Sequence, residues 1–326
     1  MTRAANDRTA ADRVLDPRPL GRTGLSVPPL CIGTSAIGSI PRIYGYEVAD
    51  DQARDTLRAV LAGPIRFLDT SNSYGAGASE QRIGAALAEI GGLPPGFLLS
   101  TKVDPAPGSD DFSGARVRAS LAESSERLGL TELPVVHLHD PEKIGFEAAM
   151  APGGPVEALV ALREEGRIGH LGVAGGPVGM LRRFVGTGLF EVVITHNRWT
   201  LLDRSAEPLL ADCAAAGVAV VNGAPFGGGI LVKGPEAAPR YAYRDASDAV
   251  RDSVGAMQAA CARAGVPLAA AALQFSLREP RVTSTIVGIT RPERLDQTLE
   301  LATAPVPEEL WPELAALTPP AATWLG

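Results

Sequence analysis

The segment FLDTSNSYGAGASEQRIG, residues 67–84, carries an acid, Asp69, and a phenol, Tyr74, out of a short apolar run into a glycine-rich turn. Such a pair is poor material for a core and suits proton transfer, provided a cation lies nearby to lower the phenol pKa from about 10. Two further polar groups end apolar runs downstream: Lys102 in LLSTK and His139 in VVHLHD. Tyr74 can give or take a proton, Lys102 can stabilise its phenolate, and Asp69 can hold and charge-balance Lys102. His139 can orient a carbonyl or alcohol oxygen and share the proton. Together they could manage the oxygen of a carbonyl/alcohol pair while another agent moves a hydride at carbon. Taken singly, each has a plainer role: a strand-end Asp closes turns, and a strand-end Lys is solvated. His137 shares a strand face with His139, so either histidine could be the one held in packing.

The elements that would bring these residues together are short strands alternating with helices. Strands are predicted at 29–33, 65–69, 97–101, 135–139, 169–173, 192–195, 218–222 and 285–288. Helices are predicted at 51–62, 115–128, 156–165, 206–216 and 250–264, with another starting at Ser79–Glu80 and striped by Ile83, Leu87 and Ile90. Strand–helix repetition argues for a parallel sheet, and eight units for a closed (β/α)8 TIM barrel with its site at the strand C-termini. Residues around Gly21–Gly24 read as an N-terminal β-hairpin. Residues 1–17 are expected to be a disordered tail, and 18–326 a single barrel domain. Stretches 140–155 and 225–249 are too long for turns and are expected to be loops over the active-site mouth.

Composition narrows the class. The 326-residue chain is 45% hydrophobic, enough for a large core, and no window suits a membrane span. A net charge of −7 without a basic cluster argues against nucleic acid or an anionic membrane as partner. Cys31, Cys213 and Cys261 are odd in number and far apart, as expected of reduced thiols in a cytoplasmic protein, and match no metal spacing.

DTSNSYG followed by SE, then TK, then LHD, after an opening PLGRTGLSVPPLCIGT, resembles the aldo-keto reductase superfamily from about residue 18 to about residue 301. The resemblance implies a nicotinamide-dependent oxidoreductase without a Rossmann domain, consistent with the lack of a GxGxxG after any predicted strand. It also implies that Asp69, Tyr74, Lys102 and His139 form the catalytic tetrad. HNRWTLLDRSAEPLLADCAAAGVAVVNGAPFGGGIL, 196–231, is similar to the aldose 1-dehydrogenase branch, which includes L-fucose/D-threo-aldose, L-galactose and pyridoxal dehydrogenases. That similarity implies oxidation of a sugar-like hemiacetal to a lactone.

Several positions depart from the broader family. Its Ser–Asn pair corresponds to Ala174–Gly175, its Gln to His196, and the Tyr that stacks on nicotinamide to Gly223. His196, Asn197 and Asn222 are therefore expected to carry more of the cofactor's orientation. The pyrophosphate is expected along Phe226, Gly227, Gly228, Gly229 and Leu231, assisted by Lys233. Gly288, Thr290, Arg291 and Arg294 correspond to the adenosine side, and a Lys often paired with the 2′-phosphate of NADP is Gly288 here, which leans the expectation to NAD over NADP. Tyr44, Tyr46, Trp199, Tyr241 and Tyr243 are candidate substrate aromatics, equally suited to packing loops. The alternatives are an NADPH-dependent aldehyde or ketone reductase and, from another class, a non-catalytic cofactor-sensing protein.

Overall fold

The computed structural model describes residues 14–242 and 244–326. Eight parallel strands close into a barrel: β1 (Leu30–Gly33), β2 (Phe67–Asp69), β3 (Leu98–Val103), β4 (Leu133–His139), β5 (Ile168–Gly175), β6 (Val192–His196), β7 (Ala219–Gly223) and β8 (Val282–Gly288). They pair in chain order and β8 returns to β1, so the expected TIM barrel is the fold. Each predicted strand is present, with ends moved by up to three residues. Lys102 consequently lies within β3, not beyond it.

Alternation along the strands separates two apolar layers. Cys31, Phe67, Leu98, Val135, Val192 and Ala219 point inward and fill the barrel. The hairpin of Arg18–Pro19 with Ser26–Val27 adds Leu20 and Val27 to that interior from the N-terminal end. Gly21 makes this fit: a Cβ there would lie 2.6 Å from the backbone nitrogen of Ala219. With that end plugged, access is left at the strand C-termini. Outward residues such as Leu30, Leu68, Leu99 and Val136 pack beneath the helices, each burial contributing about 1.5–3 kcal/mol.

Residues 1–13 of the expected tail lie outside the described residues, whereas Val14 and Leu15 already pack, half-buried, against the outer core. The helix Ala78–Ile90 buries Ile83 and Leu87, but Ile90 in its last turn is 50% exposed and is not part of the stripe. Ser79 and Glu80 turn inward instead of capping this helix. Both long connections carry structure of their own: a helix at Phe146–Met150 in the first, and a helix at Ile230–Ala237 with the small hairpin Arg240–Tyr241/Arg244–Asp245 in the second. Cys31, Cys213 and Cys261 are free thiols, all buried. No single helix among the described residues is long and apolar enough to cross a membrane.

Candidate active site

Parallel register raises the polar residues stepwise around one side of the mouth. Asp69 lies opposite Ser100, Lys102 opposite His137, and His139 opposite Ala174. Lys102, 2% exposed, has three ammonium hydrogens and three acceptors. Nζ donates to Asp69 Oδ2 at 2.6 Å, to the Thr70 carbonyl at 2.6 Å and to the Tyr74 hydroxyl at 3.1 Å. Ser100 Oγ donates to the other oxygen of Asp69 at 2.8 Å. The ammonium therefore cannot rotate away from the phenol without breaking a buried ion pair.

The Tyr74 loop is held from three sides. Left-handed Gly75 (φ 62°) meets Gly38 from the loop after β1, where a Cβ on Gly75 would lie 1.9 Å from the Gly38 carbonyl oxygen. Beneath it, buried Glu80 accepts from Thr101 Oγ1 at 2.6 Å and from Arg127 at 3.2 Å, and Arg127 also donates to the Asn72 carbonyl. Burial raises the Glu80 carboxyl against the opposing pull of these partners. On the third side, Ser71 and Ser73 bond Asp104.

His137 and His139 both point inward, at different depths. His137 is fully buried, Nδ1 lying 3.3 Å from the Thr101 carbonyl, and burial pushes its imidazole down to about 4. Its ring fills the place of a side chain at Gly172, where a Cβ would come within 2.2 Å of Cδ2. His139 stands at the mouth, edge-on to the Tyr74 ring with centroids 5.8 Å apart. Its Nδ1 lies 2.7 Å from Asp104 Oδ1, and Nε2 lies 3.6 Å from Asp140 Oδ1. Burial alone would lower the His139 imidazole, but Asp104 and then Asp140 outweigh it and raise it. Burial would likewise raise Asp104, yet His139, Ser71 and Ser73 hold it well below the carboxylate range.

The opposite side of the mouth is built differently. His196 ends β6, half-buried, and is pushed down to about 4 by burial and then by Arg198. Asn197 (φ 59°) lies beside it with Nδ2 3.2 Å from His196 Nδ1, while its own Oδ1 is buried without a hydrogen-bond partner. Gly227, Gly228 and Gly229 all take positive φ. Gly228 is exposed with no atom within 3.9 Å of an added Cβ, and Gly229 has none within 4 Å. The N–H groups of Gly227 and Gly229 close the loop's own turns onto Ala224 and Phe226. Gly288 is exposed at the end of β8, and Arg291 and Arg294 are exposed beyond it, Arg294 bonding Gln297. A dinucleotide fits this side: glycines leave the backbone approachable, and orphaned Asn197 Oδ1 offers an acceptor to an amide.

Some candidates are placed elsewhere. Asn222 is turned away from the mouth, Nδ2 donating to the Trp199 carbonyl and Ser276 Oγ at 2.8 Å each. Trp199 is 6% exposed and packs on Phe275, and Leu231 is fully buried. Tyr241 supports Asn197 through its hydroxyl at 2.8 Å, and Phe226 is half-buried core. Lys233 is exposed. Tyr44 and Tyr46 pair at 5.9 Å in the loop after β1, and Gln52 Nε2 donates to the Thr290 carbonyl at 2.7 Å, tying the following helix to the loop after β8. Tyr243 lies outside the described residues. Asp104 went unnoticed in the sequence, although it stands two residues past Lys102 and so on the same strand face.

An alternating barrel with an acid–lysine–phenol chain at its strand ends defines a carbonyl/alcohol oxidoreductase. The chain belongs to the aldo/keto reductase family, whose profile matches residues 29–318, and is an NAD(P)-dependent oxidoreductase acting on CH–OH groups. It is similar to D-threo-aldose 1-dehydrogenase of Pseudomonas sp., with 34% identity over 90% of this chain and 94% of that one. L-galactose dehydrogenase of Arabidopsis thaliana is 29% identical, over 93% of this chain and 94% of that one. The solved aldo-keto reductase of Bacillus halodurans superposes with a TM-score of 0.77 at 22% identity, covering 95% of this chain and 98% of that chain.

Proposed function

We propose that this protein oxidises a sugar-like hemiacetal to its lactone, with Tyr74 as the proton acceptor. The observation that carries the reading is the saturated Lys102, whose third hydrogen is aimed at the Tyr74 hydroxyl at 3.1 Å. An ammonium so placed stabilises the phenolate that takes the hydroxyl proton, and Asp69 offsets its buried charge. As the O–H bond breaks, its electron pair forms the carbonyl and hydride leaves the anomeric carbon. The nicotinamide, when bound, accepts that hydride. His139 shares the proton with Tyr74 and orients the reacting oxygen. Similarity to D-threo-aldose 1-dehydrogenase and L-galactose dehydrogenase supports a neutral sugar as substrate.

The test is absorbance of reduced nicotinamide with NAD and NADP in parallel, across L-fucose, D-arabinose, L-galactose and pyridoxal. Turnover on a sugar supports the reading, and silence on all of them sinks it. Exposed Arg291 and Arg294 favour a second reading, an NADPH-dependent reductase of aldehydes or ketones. If Arg294 meets a 2′-phosphate, Arg294→Ala weakens NADP binding by about tenfold and leaves NAD unchanged. Equal effects on both cofactors would remove that support. Gly288, at the position where a Lys would meet the phosphate, leans the choice to NAD.

A further inference from the structure

Asp104 is anchored by its backbone and saturated by its side chain. Its N–H donates to Ser120 Oγ at 3.1 Å and its carbonyl accepts from Arg116 Nε at 3.2 Å, both from the helix Gly114–Leu128. The carboxylate, 1% exposed, takes the Ser71 hydroxyl at 2.5 Å and the Ser73 N–H at 3.0 Å on Oδ2, with His139 Nδ1 at 2.7 Å on Oδ1. A carboxylate in this position only accepts, so Nδ1 of His139 must carry the hydrogen. Ser71 and Ser73 belong to the loop that delivers Tyr74, so one buried group grips both members of the proton-transfer pair.

We propose that Asp104 is a positioning residue for this reaction: it fixes the Nδ1–H form of His139, registers that ring against the Tyr74 loop, and makes Nε2 the nitrogen that takes and releases a proton. The inference rests on the reading of His139 as the partner of Tyr74 and not on which alcohol is oxidised.

The groups facing His139 decide its charge. Asp104 just past β3 and Asp140 beside His139 favour the imidazolium, whereas burial and Lys102 oppose it. His137 in β4 and His196 at the end of β6, both pushed down to about 4, are neutral where His139 titrates. Tyr74 meets the ring from the loop after β2. The carboxylates win, so the ring is biased to hold its second proton. A protonated His139 gives the Tyr74 phenolate a second cationic neighbour besides Lys102.

The experiment is imidazole nitrogen NMR on the full, cofactor-free chain across pH, with the His139 signal identified by its loss in His139→Gln. Wild type is expected to show Nδ1 protonated throughout and Nε2 titrating above the ordinary histidine value of about 6.5. Asp104→Asn should lower that midpoint by about 1–3 units and move the acid limb of kcat/KM for oxidation upward, with cofactor affinity unchanged. Ser71→Ala keeps the charge and should leave the midpoint high. An unshifted midpoint in Asp104→Asn overturns the proposal. So does a wild-type ring whose Nδ1 lacks the hydrogen, a result independent of whether any variant folds. Inactivity on every sugar, with these titrations intact, would sink the substrate reading alone.

Discussion

The two sides of the barrel mouth differ in how they treat polar groups. Around β2, β3 and β4, Asp69, Lys102 and Asp104 are each nearly fully buried, and each is bonded to at least two partners. Around β5, β6 and β7, Gly175, Gly223 and the run Gly227–Gly229 carry no side chains, and Asn197 Oδ1 is buried without a partner. The first side is pre-organised where it is charged: Asp69, Lys102 and Asp104 are held by paired or hydrogen-bonded neighbours, as electrostatic and proton-transfer catalysis require, although His137 Nε2 in β4 is itself buried without a partner. The second is conformationally permissive backbone suited to receiving a large ligand. On the proposed reading, chemistry falls on the side dense in paired charges and cofactor binding on the open one.

That contrast predicts unequal responses to mutation. Lys102→Met should have the largest structural effect, because it strands buried Asp69. A loss of about 3–5 kcal/mol in denaturant unfolding is expected, and a loss below about 1 kcal/mol would show the ion pair is not under that strain. Gly75→Ala comes next, forcing the Tyr74 loop off Gly38, with about 3 kcal/mol lost and catalysis impaired. Protonation gives a third test. His137 titrates at about 4 when folded against about 6.5 when unfolded, so the unfolded chain binds the extra proton more readily. Its contribution is whole above pH ~6.5 and lost as pH falls to ~4, about 3 kcal/mol in all. His137→Gln should flatten the stability–pH curve in that window, and an unchanged slope would assign the effect to other groups, His196 among them. Gly228→Ala, on the open side, meets no close atom, so melting should report only the positive-φ cost of about 1 kcal/mol. Near-equal losses for Gly75→Ala and Gly228→Ala would erase the distinction between the two sides.

The barrel was legible because apolar runs ending in polar residues recur at even spacing, and strand ends converge whatever the loops do. Asp69 and Lys102 followed from that convergence, whereas His139 was separated from His137 only by the family resemblance. Contacts made sideways were harder to read. Asn222 stands next to inward-facing positions, yet strand alternation sends its amide out to Trp199 and Ser276. Trp199 resembled a mouth aromatic because it follows a strand, but the chain turns it under Phe275. Glu80 looked like a helix-start acid, and only the packing of Thr101 and Arg127 over it reveals a buried brace. Asp104 was within reach of the period-two rule, but its meaning depends on Ser71 and His139 arriving from other strands.

The most direct measurement compares wild type with Tyr74→Phe for formation of reduced nicotinamide from NAD and a sugar that wild type turns over, alongside NAD affinity measured by calorimetry. The phenol hydroxyl is the proposed proton acceptor, so the variant should bind NAD as wild type does and lose about 10²–10⁴-fold in kcat. Near-wild-type turnover in Tyr74→Phe would contradict the account at its centre.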